Sequence, residues 1–181
     1  MTRQKGFTLI ELLTTLGVAT ILLSAAIPGM QEFKRNARQT GGINELVTGI
    51  RVARSTAITT NTRVTVCSSE SGSACQSVNW EKGWIAFVDR DADRTLDVDE
   101  TIIRAGGGAE GLTIKSSQFT GFFVFRPNGR VMSASISQNS GQFTVCDERG
   151  AEHAKAITID LSGRPRSIHD PAGSGLSLSC S

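Results

Sequence analysis

Between Phe7 and Ile27 the chain carries one formal charge, Glu11, in an otherwise uncharged and largely apolar run. As a helix, the 24 residues from Phe7 to Met30 would be about 36 Å long at about 1.5 Å per residue, enough to cross a hydrocarbon core of about 30 Å. Arg3 and Lys5 precede the run, so the positive-inside bias holds a short leader in the cytoplasm and sends the rest of the chain outward. Ser24-Ala25-Ala26-Ile27-Pro28 imitates the small-residue site of an ordinary secretory signal. Glu11 argues against that reading. A carboxylate inside a membrane helix costs about 2.5–3.5 kcal/mol on insertion scales, and such a group calls for a partner and a use.

Everything beyond this span follows from its exporting role. About 120 residues remain after the N-terminal helix, enough for one domain with a single core. The 39% apolar content is too low for further spans. Lys and Arg together number 19 and Asp and Glu 17; without Arg3 and Lys5 the chain has 17 of each sign. Diffuse attraction to nucleic acid is therefore not expected, and any such binding has to come from a local basic cluster. The four cysteines, Cys67, Cys75, Cys146 and Cys180, all fall in the exported part, where disulfides are permitted. They allow three pairings. The favoured one joins Cys67 to Cys75 across a short Ser/Gly-rich loop and Cys146 to Cys180, tying down the C-terminal tail. Zinc would want close Cys or His pairs, which this spacing does not provide.

Pro28-Gly29 and Gly41-Gly42 are read as points where the helix could kink or loosen. Lys34, Arg35 and Arg38 form a basic collar between them. The helix then resumes, with Ile43, Leu46, Val47, Ile50, Ala53, Ala57 and Ile58 on one apolar face suited to packing on a sheet. From Thr62 the pattern changes to period two. Strands are expected over 63–68, 83–88, 101–104, 112–116, 122–125, 130–136, 143–147 and 155–161. Pro127-Asn128-Gly129 separates two of them as a hairpin signal, since Asn-Gly supplies the positive φ angles of a tight turn. The fold class is α+β: a long N-terminal transmembrane and amphipathic helix followed by an antiparallel β-rich head.

Two loops carry concentrated charge. Asp89, Asp91, Asp93, Asp97 and Glu100 fall at positions one, three, five, nine and twelve of a calcium-loop template. The sixth position has Arg94 where that template wants Gly, and the flanks read as strands instead of helices. The stretch is therefore read as a solvated turn, and neither a metal nor any other cofactor is assigned. Gly163-Arg164-Pro165-Arg166 is the second loop. Pro165 fixes its own φ and pushes Arg164 away from helix, which holds the two arginines on a stiff extended backbone. Their guanidinium forks suit successive phosphates, and Gly163 permits close backbone approach. Arg126, Arg130, Lys155 and His169 are candidates for widening the patch. His153 and His169 are isolated and no Ser or Cys has a nucleophile's setting, so an enzyme is not expected.

The string Lys5-Gly6-Phe7-Thr8-Leu9-Ile10-Glu11-Leu12-Leu13 resembles the leader of type IV pilins and type II secretion pseudopilins. The resemblance implies cleavage by prepilin peptidase between Gly6 and Phe7, methylation of the new Phe7 amine, and pairing of Glu11 with a neighbouring subunit's terminal amine during assembly. Gly83-Trp84-Ile85-Ala86-Phe87-Val88-Asp89, Glu100-Thr101-Ile102-Ile103-Arg104 and Phe125-Arg126-Pro127-Asn128-Gly129-Arg130 resemble the head of the GspH/FimT group in that superfamily. Gly163-Arg164-Pro165-Arg166 is similar to the Gly-Arg-x-Arg motif of FimT-type minor pilins, which bind DNA in natural transformation. The implied organisation is a leader (1–6), a transmembrane helix (7–30), its exposed continuation (31–60) and a head (61–181). The implied protein is an inner-membrane, single-pass subunit with a periplasmic head, incorporated into a surface pilus. It would bind double-stranded DNA through phosphates, by Arg164 and Arg166, with Gly163 and Pro165 shaping the loop. Its rival is a structural pseudopilin of type II secretion, or an assembly minor pilin, whose head touches only other subunits.

Overall fold

The computed structural model describes residues 6–134, 139–168 and 178–180. Residues 1–5 of the expected leader, the end of the expected strand at Ile136 and His169 lie outside the described residues. The chain divides into two compact units, up to Ala37 and from Arg38 onward. Helix α1 is continuous over Leu9–Thr60.

In the first unit the helix begins with a cap that its sequence encodes. The Thr8 hydroxyl accepts the Glu11 amide at 3.3 Å, and the Leu12 amide bonds the Thr8 carbonyl at 3.2 Å. This satisfies donors that the first turn would otherwise leave without partners. Apolar side chains then lie in the open around the helix: Leu9 is 78% exposed, Ile21 71% and Phe33 72%. A helix apolar on every side and bare of protein contacts needs lipid or other helices around it. Among the described residues this is the one helix long and apolar enough to cross a membrane.

In the second unit α1 lies on two sheets. Strands β1 (Arg63–Ser68), β2 (Trp84–Asp89), β3 (Ile102–Gly106), β5 (Phe122–Phe125) and β6 (Val131–Met132) form a five-stranded sheet in the order β3-β2-β1-β5-β6. Strands β4 (Thr113–Lys115), β7 (Gly141–Cys146), β8 (Lys155–Ile159) and β9 (Pro165–Ile168) form a four-stranded one in the order β4-β7-β8-β9. Every pairing is antiparallel. Short 3-10 turns occupy Trp80–Lys82 and Ala151–His153.

The core joins the expected helix face to both sheets. Ile43, Leu46, Ile50, Ala53 and Ala57 are buried with Val64, Val66, Trp84, Phe123, Phe125, Phe143, Val145, Ile157 and Ile159. Ile58, assigned to the same face, is 42% exposed at its end. Trp80 anchors an aromatic cluster with Phe119, Phe123 and Phe143, its indole N–H donating to the Phe119 carbonyl at 2.9 Å. The first sheet is covered on its other face as well. Cys67, Ile85 and Phe87 pack there with Cys75, Leu96 and Phe122. Two covered faces explain why Trp84-Ile85-Ala86-Phe87 is apolar without alternation.

Several expectations are corrected. The Gly41-Gly42 pair does not interrupt the helix. A Cβ on Gly42 would stand 2.8 Å from the Leu112 side chain, and one on Gly49 would overlap the Trp84 indole. Gly42 and Gly49 are seven residues apart and share a face, so they admit close helix–sheet contact instead of providing a hinge. The strand expected over 130–136 is limited to Val131–Met132 among the described residues, and that expected over 155–161 stops at Ile159, where Asp160 starts a turn. Strand β9 was not anticipated. The Pro127-Asn128-Gly129 hairpin forms, but with positive φ at Gly129 (75°) and not at Asn128. Gly129 N–H bonds the Arg126 carbonyl at 2.8 Å and Arg126 N–H the Arg130 carbonyl at 3.0 Å. That is a turn led by Pro127 and closed by a left-handed glycine bulge.

Candidate nucleic-acid interface

The turn between β8 and β9 is organised by Asp160. Its carbonyl accepts the Gly163 amide at 2.8 Å, while its Oδ1 accepts the Ser162 hydroxyl at 2.5 Å and the Arg164 amide at 3.1 Å. The Ser162 hydroxyl is the largest influence holding the Asp160 carboxyl below its ordinary range. Partial burial opposes it, and the Arg164 and Ser162 amides and the Arg166 charge add to it. The carboxylate is thus committed to its own turn.

Gly163 then makes the step that the loop depends on. It has φ +74°, and a Cβ there would collide with the Gly129 carbonyl and stand 2.9 Å from the Phe125 ring. The two glycine-closed turns, one after β5 and one after β8, are therefore packed directly against each other. Arg54 of α1 fastens both: its Nε donates to the Gly129 carbonyl at 3.2 Å and to the Ser162 carbonyl at 3.0 Å. Arg54 is not among the residues of the expected apolar face. Nothing in a helix pattern says which distant carbonyls an arginine will reach.

Beyond Gly163 the backbone is extended. Pro165 pairs with Ile159 and Arg166 with Thr158 on edge strand β9. Pro165 is buried, while Arg164 and Arg166 are exposed. The alternation of a strand thus turns the proline inward and both arginines outward, with Cα atoms about 6.6 Å apart. Arg130, on the adjoining hairpin, is exposed as well. Arg126 is half-buried, with its Nε 3.1 Å from the Met132 sulfur.

Lys155 does not join this group. It starts β8, four residues before Ile159, and its ammonium bonds Thr40 at 3.3 Å. Burial and the Arg149 charge lower its pKa, against the pull of Asp147. The group that forms comes from the β5–β6 and β8–β9 connections.

The other sequence candidates are placed as follows. Phe7 is 84% exposed and Glu11 lies exposed in the first turn of α1. Cys67 is bonded to Cys75 and Cys146 to Cys180. Asp89, Asp91 and Asp93 bring carboxylate oxygens within 4.8 Å of one another. Glu100 folds back over the same loop, its two oxygens accepting the Arg90 amide at 2.7 Å and the Asp97 amide at 3.3 Å.

With this head, helix and N-terminus in view, the comparisons with known proteins are decisive for the family. Residues 42–163 match the model of the type II transport protein GspH, about two-thirds of the chain. The chain belongs to the GspH family. Residues 1–27 match the prokaryotic N-terminal methylation motif. Among solved structures, two crystal forms of the type IV minor pilin FimU of Pseudomonas aeruginosa strain PAO1 share the fold. One has TM-score 0.60 and 19% identity over 82% of this chain and 99% of that one; the other has 0.52 and 17% over 71% and 90%. The minor pseudopilin EpsH of the Vibrio cholerae type 2 secretion system aligns at TM-score 0.48 and 8% identity over 73% and 97%. Among curated protein sequences no match is found. This chain thus joins a GspH-type head to an N-terminal methylation motif, in a fold that it shares with FimU. The GspH match ends at Gly163, so Arg164, Pro165 and Arg166 lie just past it.

Proposed function

We propose that this protein is a minor pilin of a type IV pilus whose head binds extracellular double-stranded DNA for uptake, through the loop Gly163-Arg164-Pro165-Arg166. The observation that carries this reading is the packing of the β8–β9 turn on the β5–β6 turn. Exposed Arg130, Arg164 and Arg166 stand on a frame locked by Gly163 and Arg54. Guanidinium groups on a rigid support lose little further entropy on gripping phosphates. Neither a recognition helix nor aromatic interleaving is part of the patch among the described residues. Binding is then phosphate-dominated, weak per subunit, indifferent to sequence and steeply dependent on salt. Several subunits along or at the tip of a pilus supply avidity, and the pilus machinery supplies force.

The same reading includes cleavage between Gly6 and Phe7 by prepilin peptidase, a single span of the inner membrane with the head in the periplasm, and pairing of Glu11 with a neighbour's terminal amine. The protein itself catalyses nothing in this scheme. Glu11→Ala should leave it processed but not incorporated, read by immunoblot of sheared pili against membranes; normal incorporation removes that role from Glu11.

The central test is binding of labelled duplex to the detergent-solubilised full chain at about 50 mM and about 200 mM salt, beside an Arg164→Ala/Arg166→Ala double variant. The expected result is salt-sensitive binding that the variant weakens at least about tenfold at the lower salt. No binding at the lower salt, or equal binding by the variant, supports the rival: a pseudopilin head that contacts only other subunits.

A further inference from the structure

The connection between β2 and β3 holds a buried carboxylate that the protein leaves half satisfied. Asp89 ends β2 on the sheet face away from α1, beside Thr65 of β1, and is 1% exposed. Its Oδ2 accepts the Thr65 hydroxyl at 2.5 Å, and its Oδ1 has no hydrogen-bond partner among the described residues. A polar oxygen withdrawn from water without a partner is unfavourable and needs a reason. Asp91 and Asp93 each bring a carboxylate oxygen within 4.8 Å of one of Asp89's and of each other. Oxygens on opposite sides of one calcium ion are separated by about 4.6–5.2 Å, twice the usual bond length.

We propose that the loop from Asp89 to Glu100 is a calcium site, with Asp89, Asp91 and Asp93 as its carboxylate donors. The donors are all hard oxygens, which favours calcium or magnesium over a transition metal. Calcium is favoured between those two because it accepts irregular oxygen cages, whereas magnesium demands near-octahedral geometry and gives up its water reluctantly. The sequence objection, Arg94 at the sixth position, is answered by the backbone: Arg94 has φ 73°, the conformation for which a calcium loop uses glycine. Its guanidinium lies 5.0 Å from the centre of the Phe122 ring, which fastens the residue outside the cluster. Leu96 packs against the outer-face group of Cys67, Ile85 and Phe87, so the loop is tied to the sheet in its middle as well as at its ends. The local field points the same way. Partial desolvation, then the charges of Asp93, Asp91, Asp99 and Asp89, raise the Asp97 pKa, so added negative charge is already resisted there. A divalent cation relieves that resistance. This proposal stands on residues that the DNA reading does not use.

The test is isothermal titration and thermal melting of the full chain in uncharged detergent, first stripped with a chelator. With calcium the expected result is saturable one-to-one heat with Kd of about 0.1–1 mM, the range of extracellular modules, and a melting midpoint that rises with concentration. Magnesium at the same concentrations should raise it far less. Asp91→Asn/Asp93→Asn keeps the Oδ1 acceptors used by the Asp93 and Thr95 amides. It should melt, metal-free, at or above the parent and lose the calcium response. As a readout independent of any variant, calcium should shift backbone amide NMR signals within 89–100 and leave those of 160–168 in place. Absence of heat and of a midpoint shift up to about 10 mM calcium overturns the site. So does an undiminished response in the double variant. Equal responses to calcium and magnesium overturn the assignment to calcium and reduce the effect to screening of an acidic loop.

Discussion

The acidic loop of 89–100 and the basic loop of 160–166 both leave the ends of strands, and both turn through positive φ, at Ala92 and Arg94 in the first and at Gly163 in the second. They differ in what has been satisfied. In the basic loop the framework is complete: Asp160 holds its own turn, Gly163 fits against the Gly129 carbonyl, and Arg54 bonds both turns to the helix. The charge left over, on Arg164 and Arg166, stands in solvent. In the acidic loop the framework itself is incomplete, because Asp89 keeps an unpartnered oxygen inside. The contrast separates two kinds of site. One presents exposed charge from a finished scaffold, and its partner adds affinity without building structure. The other finishes its scaffold only when a cation arrives.

Positive φ offers the sharpest way to break this comparison. Gly163→Ala combines left-handed strain with a collision against backbone, and should cost about 2–4 kcal/mol in a denaturant titration. Arg94→Gly relieves similar strain but gives up the contact over Phe122 and should change stability by less than about 1 kcal/mol. Comparable losses in the two variants would show that the acidic loop is as tightly framed as the basic one. Next in size is Arg54→Ala, which removes a charged donor from two carbonyls and should cost about 1.5–3 kcal/mol and weaken DNA binding with Arg164 and Arg166 intact. Arg54→Lys should restore only part, since an ammonium lacks the planar fork. Unchanged stability would remove Arg54 from the frame.

The smallest expected effect is electrostatic and opposite in sign in the two loops. Asp160 has a pKa below the reference 3.8, chiefly through the Ser162 hydroxyl. Its stabilising contribution is complete above 3.8 and is lost as pH falls through the lower folded value. Asp97 has a pKa above 3.8, through desolvation and then its acidic neighbours. Its unfavourable contribution is present at neutral pH and is relieved as pH falls through the raised value. Carboxyl carbon NMR titration should place the Asp97 midpoint above that of Asp160, and calcium should lower the first alone. Midpoints in the reverse order would dissolve the electrostatic side of the contrast.

Much of this was legible from residue order because it depends on local chemistry. The expected strands over 63–68 and 122–125 match β1 and β5 in full. The face from Ile43 to Ala57 is the face that packs. Strand β9 was missed because a four-residue edge strand beginning at proline has neither the length nor the alternation that marks a strand. Gly42 was misread as a loosening point, since its use as a contact surface depends on Leu112, far away in the chain.

The sequence by itself determined the single apolar span, the order of the helix and most of the strands, the family, and the residues able to carry charge. Periodicity, turn chemistry and short motifs act over a few residues and survive without a fold. Only the tertiary structure decided that Gly163 and Gly129 touch, that Arg54 holds both turns, and that Asp89 is buried beside Asp91 and Asp93. Those relations join residues up to 108 positions apart, as between Arg54 and Ser162. They exist because packing one helix on two sheets excludes water from some polar groups and leaves others in it.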